Sequence, residues 1–396
     1  MASSGIKDRV AIVGMGCTRF GELWDKGVDD LLTDAATEAT ASAGVPFDDI
    51  DAYWLGTMTS GYCGVTLSRP LKIDYRPVTR VENYCATGSE AFRNACYAVA
   101  SGAYDTAMAI GVEKLKDTGY SGLTGVRPVG DGTDPGLTSP AAFSFLAPSY
   151  CHKYGVDPAQ LKEAMSRIAW KNHQNGARNP RAQFRKEVSL ETIAKAPLVA
   201  GDLGVFDCSG VSDGSAAAIV TTPEIARSLG KKDLITVKAL QLAVSNGQEA
   251  QHNAWDGSYF ATARAAAKRA YQEAGIDKPR EQLSLVEAHD CFSITELVTM
   301  EDLYISPEGG AVKDVLDGFY DADGKVPCQI DGGLKCFGHP IGASGLRMIY
   351  EIYLQMQGRA GARQRQQEPV RGLVHNLGGF PHQNVCSIAI IGKHGA

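Results

Sequence analysis

The 396-residue sequence has no apolar run of about 18 residues, the minimum for a bilayer-spanning helix. None of its ten cysteines forms a C-x-x-C pair, so a structural zinc site has no sequence support. A chain of this length with 44% hydrophobic residues can build its core without a disulfide framework. An excess of one charge is also lacking. The net charge is −6, which gives no bulk attraction to nucleic acid or to an anionic membrane. Met1 to Val10 carries charges where a secretory signal needs an apolar run, and Gly392-Lys393-His394-Gly395-Ala396 is no peroxisomal address. A cytoplasmic protein is expected. A dinucleotide fingerprint is missing too. Gly14-Met15-Gly16 follows the apolar stretch Arg9 to Gly14, but the next glycine is Gly21. A glycine turn leaving an inner strand is expected there.

What is present reads as two related α/β halves, about 1–235 and 236–396. An alanine-rich helix over Asp29 to Ala43 stops at Gly44 and leads to a strand at Asp51 to Gly56. The plan returns with a helix over Thr262 to Ala274, Gly275 and a strand at Leu283 to Ala288. A second pair matches Cys85-Ala86-Thr87-Gly88-Ser89 with His339-Pro340-Ile341-Gly342-Ala343-Ser344. Each opens an amphipathic helix that ends at glycine, Gly102 or Gly358, and continues into a strand. An irregular insert, about 115–200, interrupts the first half. Its Gly/Pro/Ser-rich start, Thr118 to Pro148, reads as loop and short helix. Duplication of an α/β layer brings equivalent helix starts together at a pseudo-twofold axis, which would put Cys85 and His339 in one pocket.

At a helix start, free N–H groups and the positive dipole end lower a thiol pKa, so a Cys85 thiolate is expected. Gly88 and Ala86 would let a substrate approach. A thiolate suits attack on a thioester, because the leaving thiolate is of similar basicity. The competing reading is a buried cysteine in a tight turn. His339, flanked by Gly338 and Gly342, is poorly placed for core packing and well placed to polarise a carbonyl and sustain the Cys85 thiolate. His289-Asp290-Cys291-Phe292 follows a strand end, where open α/β sheets place their sites; a capping Asp290 is the alternative. Asn376-Leu377-Gly378-Gly379 lies after a short strand, Gly372 to Val374. It reads as a plain turn or as a source of N–H groups for an oxyanion. Lys171, Arg178, Arg181, Arg185 and Lys186 form a basic cluster, either a contact for coenzyme A phosphates or a solvated helix face.

This ordered set, C-x-x-G, H-D-C-F, G-H-P-x-G-A-S-G and N-L-G-G, resembles the thiolase superfamily over nearly the whole chain. It is most similar to the sterol-carrier-protein-type thiolases, with His289-Asp290-Cys291-Phe292 where other thiolases have Asn-Glu-Ala-Phe. Trp170-Lys171-Asn172-His173, Asn179 to Phe184, and Asp213-Gly214-Ser215-Ala216-Ala217 carry the same likeness. The resemblance implies a duplicated five-layered α/β/α/β/α fold and acyl transfer between a 3-oxoacyl-CoA and coenzyme A through an acyl-Cys85 intermediate. It implies that His339 activates Cys85, that His289 positions an oxyanion-hole water, and that Cys291 moves the α-proton. The N–H groups of Cys85 and of Gly378 or Gly379 would form a second oxyanion hole. Many thiolases carry a C-terminal Cys-x-Gly; here that loop has no cysteine, which shifts the acid/base role to Cys291.

No metal and no permanently bound cofactor are implied, with coenzyme A as substrate or product. A homodimer or larger assembly is expected, and the family admits a small zinc-ribbon/OB-fold partner that associates with acyl-CoA. The competing functions are a retro-aldolase of thiolase fold and a non-catalytic lipid- or acyl-CoA-binding subunit. A ketosynthase is disfavoured by Cys291.

Overall fold

The computed structural model describes residues 5–119, 137–250 and 255–396. Every residue of β1 (Ala11–Cys17) is buried, as befits an apolar run without polar alternation. β1 belongs to a nine-stranded sheet with β2 (Ala52–Gly56), β3 (Val78–Val81), β4 (Thr106–Glu113), β5 (Gly214–Thr221), β6 (Ile235–Val244), β7 (Leu285–Glu287), β8 (Arg371–Phe380) and β9 (Gln383–Lys393). The order is β3-β2-β4-β5-β1-β6-β9-β8-β7. It mirrors itself outward from the antiparallel β1–β6 seam. β5 and β9 come next, then β4 and β8, all antiparallel; β2 and β7 then pair parallel to their neighbours. A parallel bridge from Val286 to Cys328 stands where β3 stands in the first half.

The helices that position the site are α1 (Val28–Ala43), α2 (Thr87–Ala100), α3 (Pro158–Ala177), α4 (Ala261–Ala274), α5 (Ser293–Asp302) and α6 (Ser344–Met356). α1 covers one face of the first half of the sheet and α4 the outer face of the second. Between the halves α2 packs against α6, giving the expected α/β/α/β/α layers. α2 turns Ala91, Phe92, Ala95, Cys96 and Val99 into the core at helical spacing. All 13 residues of α6 are buried. Its polar side chains form one stripe. Arg347 pairs with Glu287 at 3.0 Å and also with Asp331, while Glu351 pairs with Arg363 at 2.8 Å. A buried charge is tolerable only when paired in this way.

The structure departs from the sequence reading at several places. Gly14 and Gly16 lie inside β1 and do not form a turn. A Cβ on Gly14 would fall 2.4 Å from the Ala43 nitrogen, and one on Gly16 would fall 2.2 Å from the Ala35 carbonyl. Glycine there lets α1 lie directly on β1. Asn376 to Gly379 likewise sit within β8, paired with Ser387 to Asn384 of β9, and are not a turn. Pro340 does not begin a helix, since α6 starts at Ser344. In the insert, residues 120–136 of the Thr118–Pro148 segment lie outside the described residues. Beyond them Ser139–Ser144 is a short helix, and α3 runs for 20 residues, capped by Asp157 and opened by Pro158.

Gly88 does not face a substrate. A Cβ there would meet the Gly342 carbonyl at 2.8 Å, and one on Gly345 would meet the Ser89 nitrogen at 2.4 Å. α2 and α6 thus touch backbone to backbone. Gly345→Ala should therefore lower unfolding free energy by about 1–3 kcal/mol, the usual cost of overpacking. Urea unfolding checks this; an unchanged midpoint would mean that the helices do not approach so closely.

Candidate active site

Cys85 occupies the tight connection from β3 to α2. Tyr84 adopts φ +49°, unusual for a non-glycine residue, and the Thr87 hydroxyl clamps the turn by donating to the Tyr84 carbonyl and accepting from the Asn83 N–H at 2.9 Å. The thiol is half-buried and receives the Gly379 N–H, which the β8 ladder carries to it. Burial pushes its pKa up to about 12, against the Gly379 hydrogen bond and with the Glu113 charge adding to the rise. The expected thiolate is therefore corrected. Desolvation is the largest influence on the thiol and favours its neutral form.

His339 is held by two serine hydroxyls. Its N–H donates to Ser212 Oγ at 2.6 Å, and its Nδ1 lies 2.7 Å from Ser344 Oγ. Ser344 donates its own proton to the Pro340 carbonyl, so it accepts from Nδ1–H and leaves Nε2 bare. The following turn is tied to the other half of the fold. The Gly342 N–H donates to Glu113, which also accepts from the backbone N–H groups of Met58, Thr59 and Ser60. Burial lowers the His339 pKa to about 3, so it rests as neutral imidazole. The Cys85 sulfur and a ring nitrogen of each of His289 and His339 lie within 4.8 Å of one another, with the two rings perpendicular at 5.1 Å.

His289-Asp290-Cys291-Phe292 links β7 to α5. His289 is buried and its pKa is well below the ordinary value, first from desolvation and then from the neighbouring His339. Its Nδ1 lies 3.2 Å from the Asn376 amide nitrogen. Asp290 does not face substrate. It caps the short helix Gly333–Cys336 by accepting the Leu334 N–H at 2.6 Å, and it also accepts from Asn172 at 2.8 Å. Cys291 Sγ sits 3.6 Å from the Thr295 hydroxyl, and burial pushes its thiol well up. Cys85, His289, Cys291, His339 and Gly379 all line one cavity of about 610 Å³. Phe143, Phe184, Phe206, Phe292 and Ile341 supply apolar walls.

The basic cluster separates. Lys171 is buried, pairs with Glu296 at 2.9 Å and donates to the Cys328 carbonyl, so it cannot reach a coenzyme. Arg181 is committed to Glu38 through contacts of 2.7 and 2.9 Å. Arg178 and Arg185 are exposed. Gly378 does not line the cavity, whereas Gly379 does. Sequence reasoning assigned no role to Glu113, Ser212, Lys335, Ser344 or Asn376. Of these, Ser344 and Asn376 lie inside the G-H-P-x-G-A-S-G and N-L-G-G motifs. Lys335 is buried beside the cavity and donates to the Asp290 carbonyl at 2.8 Å.

The family description "Thiolase, N-terminal domain" matches residues 10–224, and "Thiolase C-terminal domain-like" matches residues 241–391. Acetyl-CoA acetyltransferase of Methanothermobacter thermautotrophicus is 34% identical over 379 residues, covering 93% of this chain and 96% of that protein. Human sterol carrier protein 2 is 31% identical over 397 residues, covering 93% of this chain and 70% of that protein. A solved Ltp2-ChsH2(DUF35) aldolase shares the fold at a TM-score of 0.83 and 21% identity, covering 99% of each chain. By sequence over both halves and by fold, this chain belongs to the thiolase family.

Proposed function

We propose that the chain is an acetyl-CoA C-acyltransferase that cleaves or forms a 3-oxoacyl-CoA through an acyl-Cys85 intermediate. The observation that carries this is the convergence of the Cys85 thiol and the two histidines in a cavity that also presents Cys291. In cleavage, Cys85 passes its proton to His339 Nε2 as the sulfur attacks the 3-keto carbon. Because both groups rest neutral, proton transfer and attack are coupled, and no stable thiolate–imidazolium pair precedes them. The N–H groups of Cys85 and Gly379 receive the tetrahedral oxyanion. The C2–C3 bond then breaks, its electron pair forming the enolate of acetyl-CoA, whose oxygen sits between His289 and His339. Cys291, a thiol in its buried setting, gives its proton to C2. The incoming coenzyme A thiol reprotonates Cys291 as its sulfur takes the acyl group, and Cys85 recovers its proton from His339.

The large, aromatic-walled cavity supports an extended or ring-bearing acyl chain over acetoacetyl. For the coenzyme phosphates, Arg185 is the favoured contact, one residue from cavity-lining Phe184, and Arg178 is a second exposed candidate. A homodimer is proposed through the first half, where β3 has no second strand partner among the described residues and exposed Tyr62 and Tyr75 lie nearby in sequence. A small DUF35-type partner is proposed by analogy with the aldolase complex. A thiol nucleophile beside two histidines favours acyl transfer over an aldolase reaction, which needs no acyl-enzyme.

The resting state makes a pH prediction. Below a pKa near 12, the thiolate fraction of a thiol grows tenfold for each unit by which the pH rises. Alkylation of Cys85 by iodoacetamide in the free enzyme should therefore climb steadily from pH 7 to 10. A plateau already reached by pH 8 would reveal a stable thiolate. Cys291→Ala should still acylate Cys85 with acyl-CoA, which needs no enolate, at a modestly reduced rate because the departing coenzyme A thiolate must then take its proton from water. It should lose α-proton exchange of acetyl-CoA in deuterated water by about 10²–10⁴-fold. Exchange at the wild-type rate would make Cys291 a packing residue.

A further inference from the structure

The two histidines face the same thiol but do different jobs in the proposed reaction, and the groups behind them determine which does which. Behind His339 stands a hydroxyl that accepts, Ser344, whose own proton goes to the Pro340 carbonyl. Behind His289 stands an amide. Asn376 lies in β8, is buried, and brings its Nδ2 to 3.2 Å from His289 Nδ1. Its Oδ1 accepts from the Ser89 hydroxyl at 2.9 Å, on the first turn of α2, four residues after Cys85. An amide nitrogen can only donate, so His289 Nδ1 is the acceptor and Nε2 carries the proton. The opposite amide orientation would leave two bare ring nitrogens facing one thiol, with a single proton between them. The observed arrangement is complementary: a permanent donor at His289 and an acceptor at His339.

We propose that Asn376, anchored by Ser89, is a positioning residue that locks His289 in the Nε2–H tautomer and so makes it a permanent oxyanion donor, leaving His339 as the sole base for Cys85. The assignment deepens the proposed acyltransferase and rests on that reading for its kinetic consequences. Its physical content, the tautomer, stands apart from activity. The lock also couples the halves of the fold, because Ser89 belongs to the Cys85 helix while Asn376 and His289 belong to the second half. It matters most when the unacylated enzyme forms the acetyl-CoA enolate, as in α-proton exchange, because Cys85 then still holds its proton and His339 Nε2 has none to donate to the thioester oxygen. It matters little for acylation of Cys85 by acyl-CoA, whose oxyanion faces the N–H groups of Cys85 and Gly379.

The test is ¹⁵N NMR of the histidine-labelled protein at pH 7, with the His289 ring signals assigned by their loss in His289→Gln. The wild type should show a bare Nδ1 and a protonated Nε2 at His289. In Asn376→Asp the carboxylate can only accept, so the proton should move to Nδ1. That variant should still acylate Cys85 near the wild-type rate, while α-proton exchange of acetyl-CoA falls by about 10²–10³-fold, as for loss of an oxyanion donor. Ser89→Ala frees the amide to rotate and should shift both readouts the same way by less, which serves if Asn376→Asp does not fold. A protonated Nδ1 at His289 in the wild type, or wild-type exchange in a folded Asn376→Asp, would overturn the proposal. If the wild type neither acylates Cys85 nor exchanges α-protons, it is the acyltransferase reading that fails, and the NMR result still decides the tautomer.

Discussion

The site exists because two helix starts meet with no side chain between them. Gly88 at the head of α2 faces the Gly342 carbonyl, and Gly345 at the head of α6 faces the Ser89 nitrogen. Each glycine occupies a place where a Cβ would overlap backbone, which a neighbouring side chain cannot relieve by moving. This contact brings the Cys85 turn of the first half within reach of the His339 turn of the second. Glu113 fixes the same junction from below, accepting backbone N–H groups of residues 58–60 and of Gly342. The mirrored strand order places the two starts on equivalent ends of the sheet, so duplication provides the convergence and glycine makes it close.

Burial then sets the chemistry. The packing around Cys85, Cys291, His289 and His339 disfavours every charged form, raising the thiols and lowering the imidazoles. The result is a site of neutral donors and acceptors whose roles depend on hydrogen-bond partners rather than on net charge. Such a site develops charge only when a substrate carbonyl arrives to share it. Its N–H groups are already aimed, so little reorganisation accompanies the reaction.

Much of this was legible in the chain. The helix–glycine–strand repeats gave the two halves, because periodicity reports which faces are buried. The cysteine and histidine motifs gave the residues that share the cavity, because reactive side chains beside glycine have no packing purpose. The failures have physical causes. Lys171 reads as a surface charge, yet Glu296 and the Cys328 carbonyl, more than a hundred residues away, bury it. Gly378 and Gly379 read as a turn, although their pairing with β9 keeps them in a ladder. The Cys85 thiol read as acidic because local sequence shows the helix start but not the walls that distant segments build around it. Asn376 carried no signal of its role, since its partners Ser89 and His289 are known only once the halves are assembled.

In the proposed reaction Cys85 carries the acyl group between a 3-oxoacyl-CoA and coenzyme A. The most direct measurement mixes the protein with a long-chain or ring-bearing 3-oxoacyl-CoA, omits free coenzyme A, quenches in acid and maps peptides by mass. The expected result is release of acetyl-CoA together with an acyl adduct on Cys85 alone, discharged as acyl-CoA once coenzyme A is added. Cleavage that leaves Cys85 unmodified, or that persists in Cys85→Ser at the wild-type rate, would contradict it.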